Sequence, residues 1–316
     1  MANTKKTTLI EDTKTKGMSV GIKRSQGIDG GLDNMFGYSA NDVENKSKIE
    51  VVGSGNLLLA IKEYCSYLDV DFGLISRANQ CSYTNVILTP PEISQFILAT
   101  KIYGGHENYG ARTGEFSSKL IQTSYGAGNN DFLINLNSIN LSRFCKRIKG
   151  KRDDRIKIDI KGNSGNDFCN GSKYFDINID GNVSGFSLKK TEKSVITVAG
   201  NCGEKFAFGS IDITSFVNGN VGPNSGQESN RLNLIVGGNV DYNFASFANR
   251  LSAVIGGNLE IFGLGYYARN MDLFVGGSMD YGNKKPPKNI RVGQNAKNHS
   301  LYKLMMTELH KRMEEL

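Results

Sequence analysis

Apolar and polar residues alternate along the second half of this 316-residue chain in a register that repeats every 19 residues. A Gly-Asn pair marks each unit. The pairs that keep this interval are Gly162-Asn163, Gly181-Asn182, Gly200-Asn201, Gly219-Asn220, Gly238-Asn239 and Gly257-Asn258. Gly277-Ser278 and Gln294-Asn295 continue the series with small changes in spacing and letters. A fixed period near 20 residues is typical of a solenoid.

Three columns of mainly apolar residues are locked to the first residue of each pair. The positions two before it are Ile160, Ile179, Val198, Val217, Val236, Ile255, Val275 and Val292. The positions four before it are Ile158, Ile177, Ile196, Ser215, Leu234, Ala253, Leu273 and Ile290. The positions two after it are Ser164, Val183, Cys202, Val221, Val240, Leu259, Met279 and Ala296. Alternation and β-branched residues indicate strands, and the Asp, Asn, Gly and Ser between them suit turns.

The repeat predicts a mainly β protein, a right-handed parallel β-helix of about eight 19-residue coils. Coils stack about 4.8 Å apart, so equivalent apolar positions form an interior spine. We expect Val240 to point inward between Val221 and Leu259. Gly200 is expected to turn a corner with positive φ, and the asparagines to form an amide ladder. An antiparallel sandwich is the alternative, but sandwiches do not hold a fixed register of this kind.

One unit reads Gly257-Asn258-Leu259-Glu260-Ile261-Phe262-Gly263-Leu264-Gly265 and continues, after a link, with Met271-Asp272-Leu273-Phe274-Val275-Gly276-Gly277. It resembles the glycine-rich repeat of the GXGXG β-helix superfamily, and the resemblance covers about 156–297. That superfamily includes the C-terminal domain of the glutamate synthase large subunit and the C subunit of formylmethanofuran dehydrogenase. The resemblance implies a structural domain that braces or docks catalytic partners and has no reaction centre of its own.

The chain divides into four predicted segments. Residues 1–47 read as a flexible polar tail, and 48–150 as an α/β segment that caps the β-helix. Residues 151–297 form the β-helix, and 298–316 an amphipathic helix. Within the second segment we expect a strand at 49–52, a helix over 57–68 and another that begins at Thr89 with a capping box.

Two stretches of the second segment carry candidate binding residues. Gly53 and Gly55 follow a strand and precede a helix, where backbone N–H groups can hold a phosphate; a plain tight connection is the alternative. His106, Glu107 and Arg112 lie in the polar stretch 103–116, where acid–base or ligand-binding work is conceivable. An exposed polar loop without a site is the favoured interpretation there, and no catalytic residue is assigned.

A basic cluster precedes the first predicted coil. Its members are Arg143, Lys146, Arg147, Lys149, Lys151 and Arg152, followed by Arg155 and Lys157. With a net charge of +7 and a pI near 9.0, the cluster suggests an anionic partner surface, and a solvated linker is the alternative. Nucleic acid is disfavoured as that partner, because Phe144 is the only aromatic residue among these cations.

Composition narrows the class further. No apolar run is long enough for a membrane span, and Met1 to Lys23 lacks the apolar core of a signal peptide, so we expect a cytoplasmic protein. The 5 cysteines do not show disulfide-framework spacing. The 3 histidines, His106, His299 and His310, are scattered without metal-ligand spacing, so neither a metal nor a cofactor is predicted.

Three functions remain open from the sequence. The first is a non-catalytic scaffold or subunit of an oxidoreductase-type assembly with protein partners. The second is a self-assembling or cell-structural β-helix, and the third a ligand binder or enzyme with its site in 48–130. At the other end, Leu301, Met305, Leu309, Met313 and Leu316 form one helical stripe. We expect Asn298 or Ser300 to cap this helix and the helix to fold over the last coil, above Ala296 and Met279; a free partner-binding helix is the alternative.

Overall fold

The computed structural model describes the backbone of residues 7–10, 22–25 and 48–51, together with residues 55–68, 84–260, 262–279 and 290–316. Two short strands, β1 (Thr7–Ile10) and β2 (Ile22–Ser25), flank β3 (Lys48–Val51) in an antiparallel sheet. The predicted strand at 49–52 is therefore confirmed as β3. Two strands lie within the predicted N-terminal tail, and the rest of that tail falls outside the described residues.

A nine-stranded parallel sheet forms one side of a β-solenoid, with the strands in sequence order. Its strands are β4 (Asp131–Asn135), β5 (Ile156–Lys161), β6 (Phe175–Ile179), β7 (Glu192–Val198), β8 (Ile211–Val217), β9 (Asn230–Val236), β10 (Asn249–Ile255), β11 (Arg269–Val275) and β12 (Ile290–Val292). The parallel β-helix is thus confirmed.

The number and start of the regular coils differ from the prediction. Six strands, β5 to β10, follow one another at the 19-residue interval, rather than about eight. The solenoid begins earlier than 151, because β4 pairs with β5 across a longer connection that places Asp131 opposite Lys157. The basic cluster therefore belongs to the first coil and its link to the second, and does not precede the solenoid.

The predicted spine is present. Val240 is 2% exposed and bridges to Val221 on one side and to Leu259 on the other. The columns that contain Ile158 and Ile160 are buried along the strands as predicted. The interior side chains of each coil therefore pack on the equivalent side chains of the coils above and below, and the core is continuous along the solenoid axis.

At the Gly-Asn corner the predicted asparagine ladder is confirmed, but the predicted backbone conformation of the glycine is wrong. The backbone N–H of Asn201 donates to Asn182 Oδ1 at 2.8 Å, and the same bond recurs from coil to coil. Gly200, however, does not have positive φ. A Cβ on Gly200 would lie 2.4 Å from Asn182 Oδ1 and 2.7 Å from the Gly181 carbonyl oxygen. Close approach of the previous coil, and not a left-handed turn, therefore requires glycine here.

A second corner precedes each long strand, and we call it the turn face. Three alternate residues of each turn have positive φ, as in Phe186, Leu188 and Lys190, and hydrogen bonds to the neighbouring coils continue through them. Glycine occupies some of these positions, for example Gly171 and Gly209. Elsewhere, non-glycine residues stand in the same backbone conformation. The middle residue of each turn is buried, as Leu188 is, whereas the third, such as Lys190, is exposed.

Three helices cover the first coil and form what we call the helical cap. They are α1 (Gly55–Leu68), α2 (Pro90–Ala99), which a 3-10 turn Thr100–Tyr103 extends, and α3 (Tyr109–Gly126). The predicted helices at 57–68 and 90 onward are confirmed, as is the capping box of Thr89 and Glu92. Ser94 Oγ donates to the Leu133 carbonyl of β4, so α2 packs on the first strand as expected.

The C-terminal helix is present but lies elsewhere than predicted. After the short α4 (Gln294–Lys297), α5 (Ser300–Glu314) is capped by His299, whose Nδ1 accepts from Leu301 N at 3.2 Å. It covers an apolar column on the outer side of the sheet, made of Phe216, Ile235, Val254 and Phe274.

Contacts along α5 fix its direction. Tyr302 lies beside β11, where a Cβ on Gly276 would come 2.3 Å from its hydroxyl oxygen. At the other end, the Arg312 guanidinium lies 4.2 Å from the centre of the Phe216 ring in β8. The helix therefore runs along the flank of the coils and does not close the end of the spine. Ala296 packs with the helix as expected, whereas Met279 packs on the main core.

Candidate functional site

The polar stretch at 103–116 does not form a single site. His106 lies half-buried in a turn, where its Nδ1 accepts from Asn108 N at 3.2 Å, and Glu107 is exposed beside it. Arg112 is fully buried within α3, with its guanidinium 4.8 Å from the centre of the Tyr67 ring. The favoured exposed-loop interpretation is wrong from Tyr109 onward, because that part is helix and packs inward.

Of the two candidate glycines, the structure describes only Gly55. Gly55 is the exposed first residue of α1, with open space around its Cα. Gly53 lies outside the described residues, so a phosphate-binding turn at this point stays a prediction.

The basic cluster divides into an inner and an outer part. Lys146 Nζ and Arg143 Nη1 lie 2.8 and 3.2 Å from Glu115 Oε1, and Tyr67 donates to the other carboxylate oxygen at 3.0 Å. Burial would raise the pKa of Glu115, but the two cations hold that pKa below its ordinary value. These cations therefore attach the first coil to the helical cap.

The outer part remains exposed, and we call it the first-coil basic surface. It consists of Arg147, Lys149, Lys151, Arg152 and Lys157. Within the described part of the chain, none of these five side chains forms an ion pair. Asp153 is the exposed acidic residue within the run, and Asp131 and Asp176 stand beside Lys157 on the neighbouring strands. The surface therefore has a net positive charge and rests on a rigid coil.

The turn face and the adjoining starts of the strands bring together aromatic and cationic residues that are far apart in sequence. Lys193 Nζ lies 5.4 Å from the Tyr174 ring centre and 3.1 Å from its hydroxyl. Lys205 lies over Phe186 at 4.6 Å, one coil away. Because each pair joins equivalent positions of neighbouring coils, the fold interleaves rings and cations that the linear sequence separates by a full period.

Rings gather on the turn face of the last coils. Phe247, Tyr266 and Tyr267 are 54%, 57% and 69% exposed. The Phe247 and Tyr267 rings are stacked with centres 5.5 Å apart, and Tyr266 lies edge-on to Tyr267 at 4.2 Å. A surface of three adjoining exposed rings is unusual for a protein in water and marks a binding site more often than a packing defect.

An open groove of 780 Å³ lies beside these rings, and we call it the aromatic groove. It is lined by Phe247, Ala248, Asn249, Arg250, Tyr267, Arg269 and Asn270. Both arginines are exposed, and no ion pair of either side chain occurs among the described residues. Its size lies within the range of small-ligand sites, and its lining combines ring faces, two guanidinium groups and two amides.

A carboxyl pair occupies another part of the same coils. Asp241 and Glu260 stand at equivalent positions, and their shared hydrogen bond raises the pKa of Glu260. Neither residue lines the aromatic groove. The lining of the groove therefore carries two guanidinium groups and no carboxyl group.

Other reactive groups are placed for packing. Cys145 and Cys169 are buried in adjacent coils, and burial raises the pKa of the Cys169 thiol well above its ordinary value, which disfavours the thiolate. Across the described ranges, no three His, Cys, Asp or Glu side chains form a metal-binding group. Among the helices that the structure describes, none is both long and apolar enough to cross a bilayer.

The aromatic groove was not predicted from the sequence. Its residues come from positions 247–250 and 267–270, where the search for columns followed only the apolar spine. The signal was available, because Phe247 and Tyr267 occupy the same turn position in consecutive units. Arg250 follows three residues after the first ring, and Arg269 two residues after the second. Aligning the units on their turns as well as on their glycines would have exposed it.

The chain matches no family model, no curated protein sequence and no solved structure at a significant level.

Proposed function

We propose that this protein is a non-catalytic scaffold that docks an acidic protein partner on its first-coil basic surface. The observation that carries the proposal is the exposure of five cations without ion-pair partners in the described structure, on a coil whose backbone is held on both sides. Exposed charges of one sign speed association with a complementary partner and fix its orientation.

The support for this surface is rigid. Below it, α3 is joined to the coil by Gln122, whose Oε1 accepts from Lys149 N at 2.6 Å. Tyr125 Oη donates to the Asp154 carbonyl at 2.7 Å and accepts from Lys151 N at 3.0 Å. Above it, Gly150 N donates to the Lys173 carbonyl of the next coil at 3.0 Å. A partner would meet a preorganised set of charges, which lowers the entropic cost of binding.

The resemblance of the repeat to the GXGXG superfamily supports an oxidoreductase-type assembly as the setting. In that setting the partner carries the reaction centre, and the complex acts in the cytoplasm. Because its coils are joined by hydrogen bonds along the whole stack, the solenoid would hold the partner at a fixed distance from the other surfaces of the solenoid.

Affinity capture from native cells, followed by cross-linking and mass spectrometry, tests the proposal. The test variant is Lys149→Glu/Lys151→Glu/Arg152→Glu, which reverses the exposed charge without touching the Glu115 network. The matched control is Lys62→Glu/Lys101→Glu/Lys303→Glu, with the same charge change at scattered exposed sites.

We expect the wild type and the control to recover one acidic protein in a fixed ratio and to cross-link to it near 147–157. The test variant should lose it. Recovery of the same protein at the wild-type level by the test variant would contradict the docking surface. A recovered partner with flavin, iron–sulfur or amidotransferase activity would support the oxidoreductase setting.

A further inference from the structure

We propose that the aromatic groove binds single-stranded nucleic acid, with bases stacked on its rings and phosphates held by its arginines. The site lies on the last coils, several coils from the first-coil basic surface, and the inference does not depend on the scaffold function.

The rings are held where a base can reach them. Phe247 and Tyr267 occupy a position of the turn face that has φ of 58° and 57°. Two other coils place Gly171 and Gly209 at this position, where positive φ has no steric cost. Non-glycine residues such as Lys190 adopt the same conformation at this position on other coils, so it belongs to the solenoid as a whole. On the last coils it presents two stacked, exposed rings beside the groove.

The guanidinium groups supply the charge. Arg250 and Arg269 line the groove on consecutive coils, and a planar guanidinium matches phosphate with two parallel hydrogen bonds. Arg231 stands at the position equivalent to Arg250 one coil earlier, but a bidentate ion pair with Asp212 neutralises it. Arg269 lies on the next coil, opposite Asn249. Arg250 and Arg269 are therefore the two cations of the groove that can hold consecutive phosphates of one strand.

The amides of the groove provide polar contacts beside the rings. Asn249 and Asn270 form a short ladder, in which Asn270 Nδ2 donates to Asn249 Oδ1 at 3.4 Å. This long bond leaves hydrogen-bonding capacity for the edge of a stacked base. Rings, cations and amides together match the lining of grooves that bind single strands with little sequence preference.

Other ligand classes use only part of this lining. A neutral glycan would cover the rings but leave two guanidinium groups without a counter-charge. An acidic peptide would pair with the arginines but leave the ring faces without a contact. Aromatic residues are scarce among the cations near 143–157, which disfavours nucleic acid at that surface. At the aromatic groove the fold brings together rings and cations from coils a full period apart.

Fluorescence anisotropy of the full-length protein with a labelled oligothymidylate of about 12 nucleotides tests the proposal. We expect saturable binding that weakens as salt rises, because phosphate contacts release counterions. Tyr267→Ala should weaken binding by about 5- to 150-fold, the range for loss of one stacked base. Arg250→Gln should weaken it and reduce the salt dependence.

Matched controls separate the groove from general charge. Tyr242→Ala removes a ring that is 38% exposed on the coil of Phe247 but outside the groove. This variant should leave the affinity for the oligonucleotide unchanged. Lys303→Gln removes a cation from α5 and should have no more than a small effect. Because Tyr267 is largely exposed, its variant should melt like the wild type, so lost binding would not reflect unfolding.

Two further probes decide the ligand class. An abasic strand of the same length should bind at least about fivefold more weakly than oligothymidylate, because it cannot stack. AMP should bind far more weakly than the strand, because it reaches only one phosphate position. Equal affinity for the abasic strand, equal affinity for AMP, no binding of the oligonucleotide, or an unaffected Tyr267→Ala variant would each overturn the proposal.

Discussion

The helical cap and the solenoid are stabilised in different ways, although they share one continuous core. In the solenoid, Val240 has the same kind of neighbour above and below, and every Gly-Asn corner repeats one hydrogen bond. In the cap, each contact occurs once. The Phe116 ring packs against Tyr64 at 5.5 Å and Phe96 at 5.3 Å, and no other part of the described chain repeats that arrangement.

This difference determines how far a local change spreads. Solenoid stability is close to a sum of coil terms and nearest-neighbour terms, so a defect in one coil affects the coils beside it. The cap resembles an ordinary small core, in which loss of one large ring loosens every helix that touches it.

The largest effect is expected from Val240→Asp. The new carboxylate would lie between Val221 and Leu259 without a partner, which should lower the free energy of unfolding by about 5 kcal/mol or more. Asn233→Asp is the control, since it places the same charge on the exposed side of β9 and should change stability by less than about 0.5 kcal/mol. Thermal melting measures both. A test variant that melts with the wild type would show that the spine is assigned incorrectly.

Phe116→Ala and Phe244→Ala compare the regions directly, because both rings are fully buried. Each should lower stability by about 3–5 kcal/mol. Hydrogen exchange should then separate them. Phe116→Ala should raise exchange in α1, α2 and α3, whereas Phe244→Ala should raise it in β9 to β11 and leave the cap protected. If both variants produced the same pattern over the whole chain, cap and solenoid would be one cooperative unit.

Gly200→Ala tests the corner at a smaller scale. Its methyl group would meet Asn182 Oδ1 and the Gly181 carbonyl oxygen closer than atoms pack, so the coils must shift, at a cost of about 1–3 kcal/mol. Gly105→Ala, in the cap, is the control, since it has ordinary φ and open space around it. Chemical denaturation should separate the two variants. Equal stability would mean that the asparagine ladder moves aside without cost.

The same contrast explains what the sequence could predict. The columns through Ile158 and through Ile160 were identified because several units specify each of them. The helix α3 was missed because its contact with the first coil uses small and polar residues. A Cβ on Gly110 or Gly114 would lie 2.8 or 2.0 Å from a carbonyl oxygen of that coil, so close backbone packing replaces an apolar stripe. No hydrophobic period marks such an interface.

The position of α5 was also beyond the sequence argument. Its apolar stripe was visible, but the outward column that receives it was not identified. That column consists of Phe216, Ile235, Val254 and Phe274. In a strand buried on both faces, apolar residues run consecutively, as in Leu234-Ile235-Val236. That run was evidence that something covers the outer side of the sheet. The aromatic groove was missed for a related reason, since only the spine was aligned.

The smallest effect is expected at the charged junction between the two regions. Glu115 of α3 receives Lys146 and Arg143 from the first coil and Tyr67 from α1. Glu115→Gln should lower stability by about 1–2 kcal/mol at neutral pH, with the value limited by the partial exposure of both cations. Glu315→Gln, which breaks the exposed pair with Lys311 at the end of α5, is the matched control and should cost less than about 0.5 kcal/mol.

The pH dependence of that difference identifies its cause. The two cations hold the pKa of Glu115 below its ordinary value of 4.5, so the folded state binds its proton less readily than the unfolded state. The contribution of Glu115 is therefore complete above about pH 4.5 and is lost as the pH falls through the lowered pKa. Wild type and Glu115→Gln should differ in denaturation midpoint at pH 7 and converge in acid. A difference that persisted in acid would mean that Glu115 joins cap and coil by shape and neutral hydrogen bonds, and that charge contributes little to the junction.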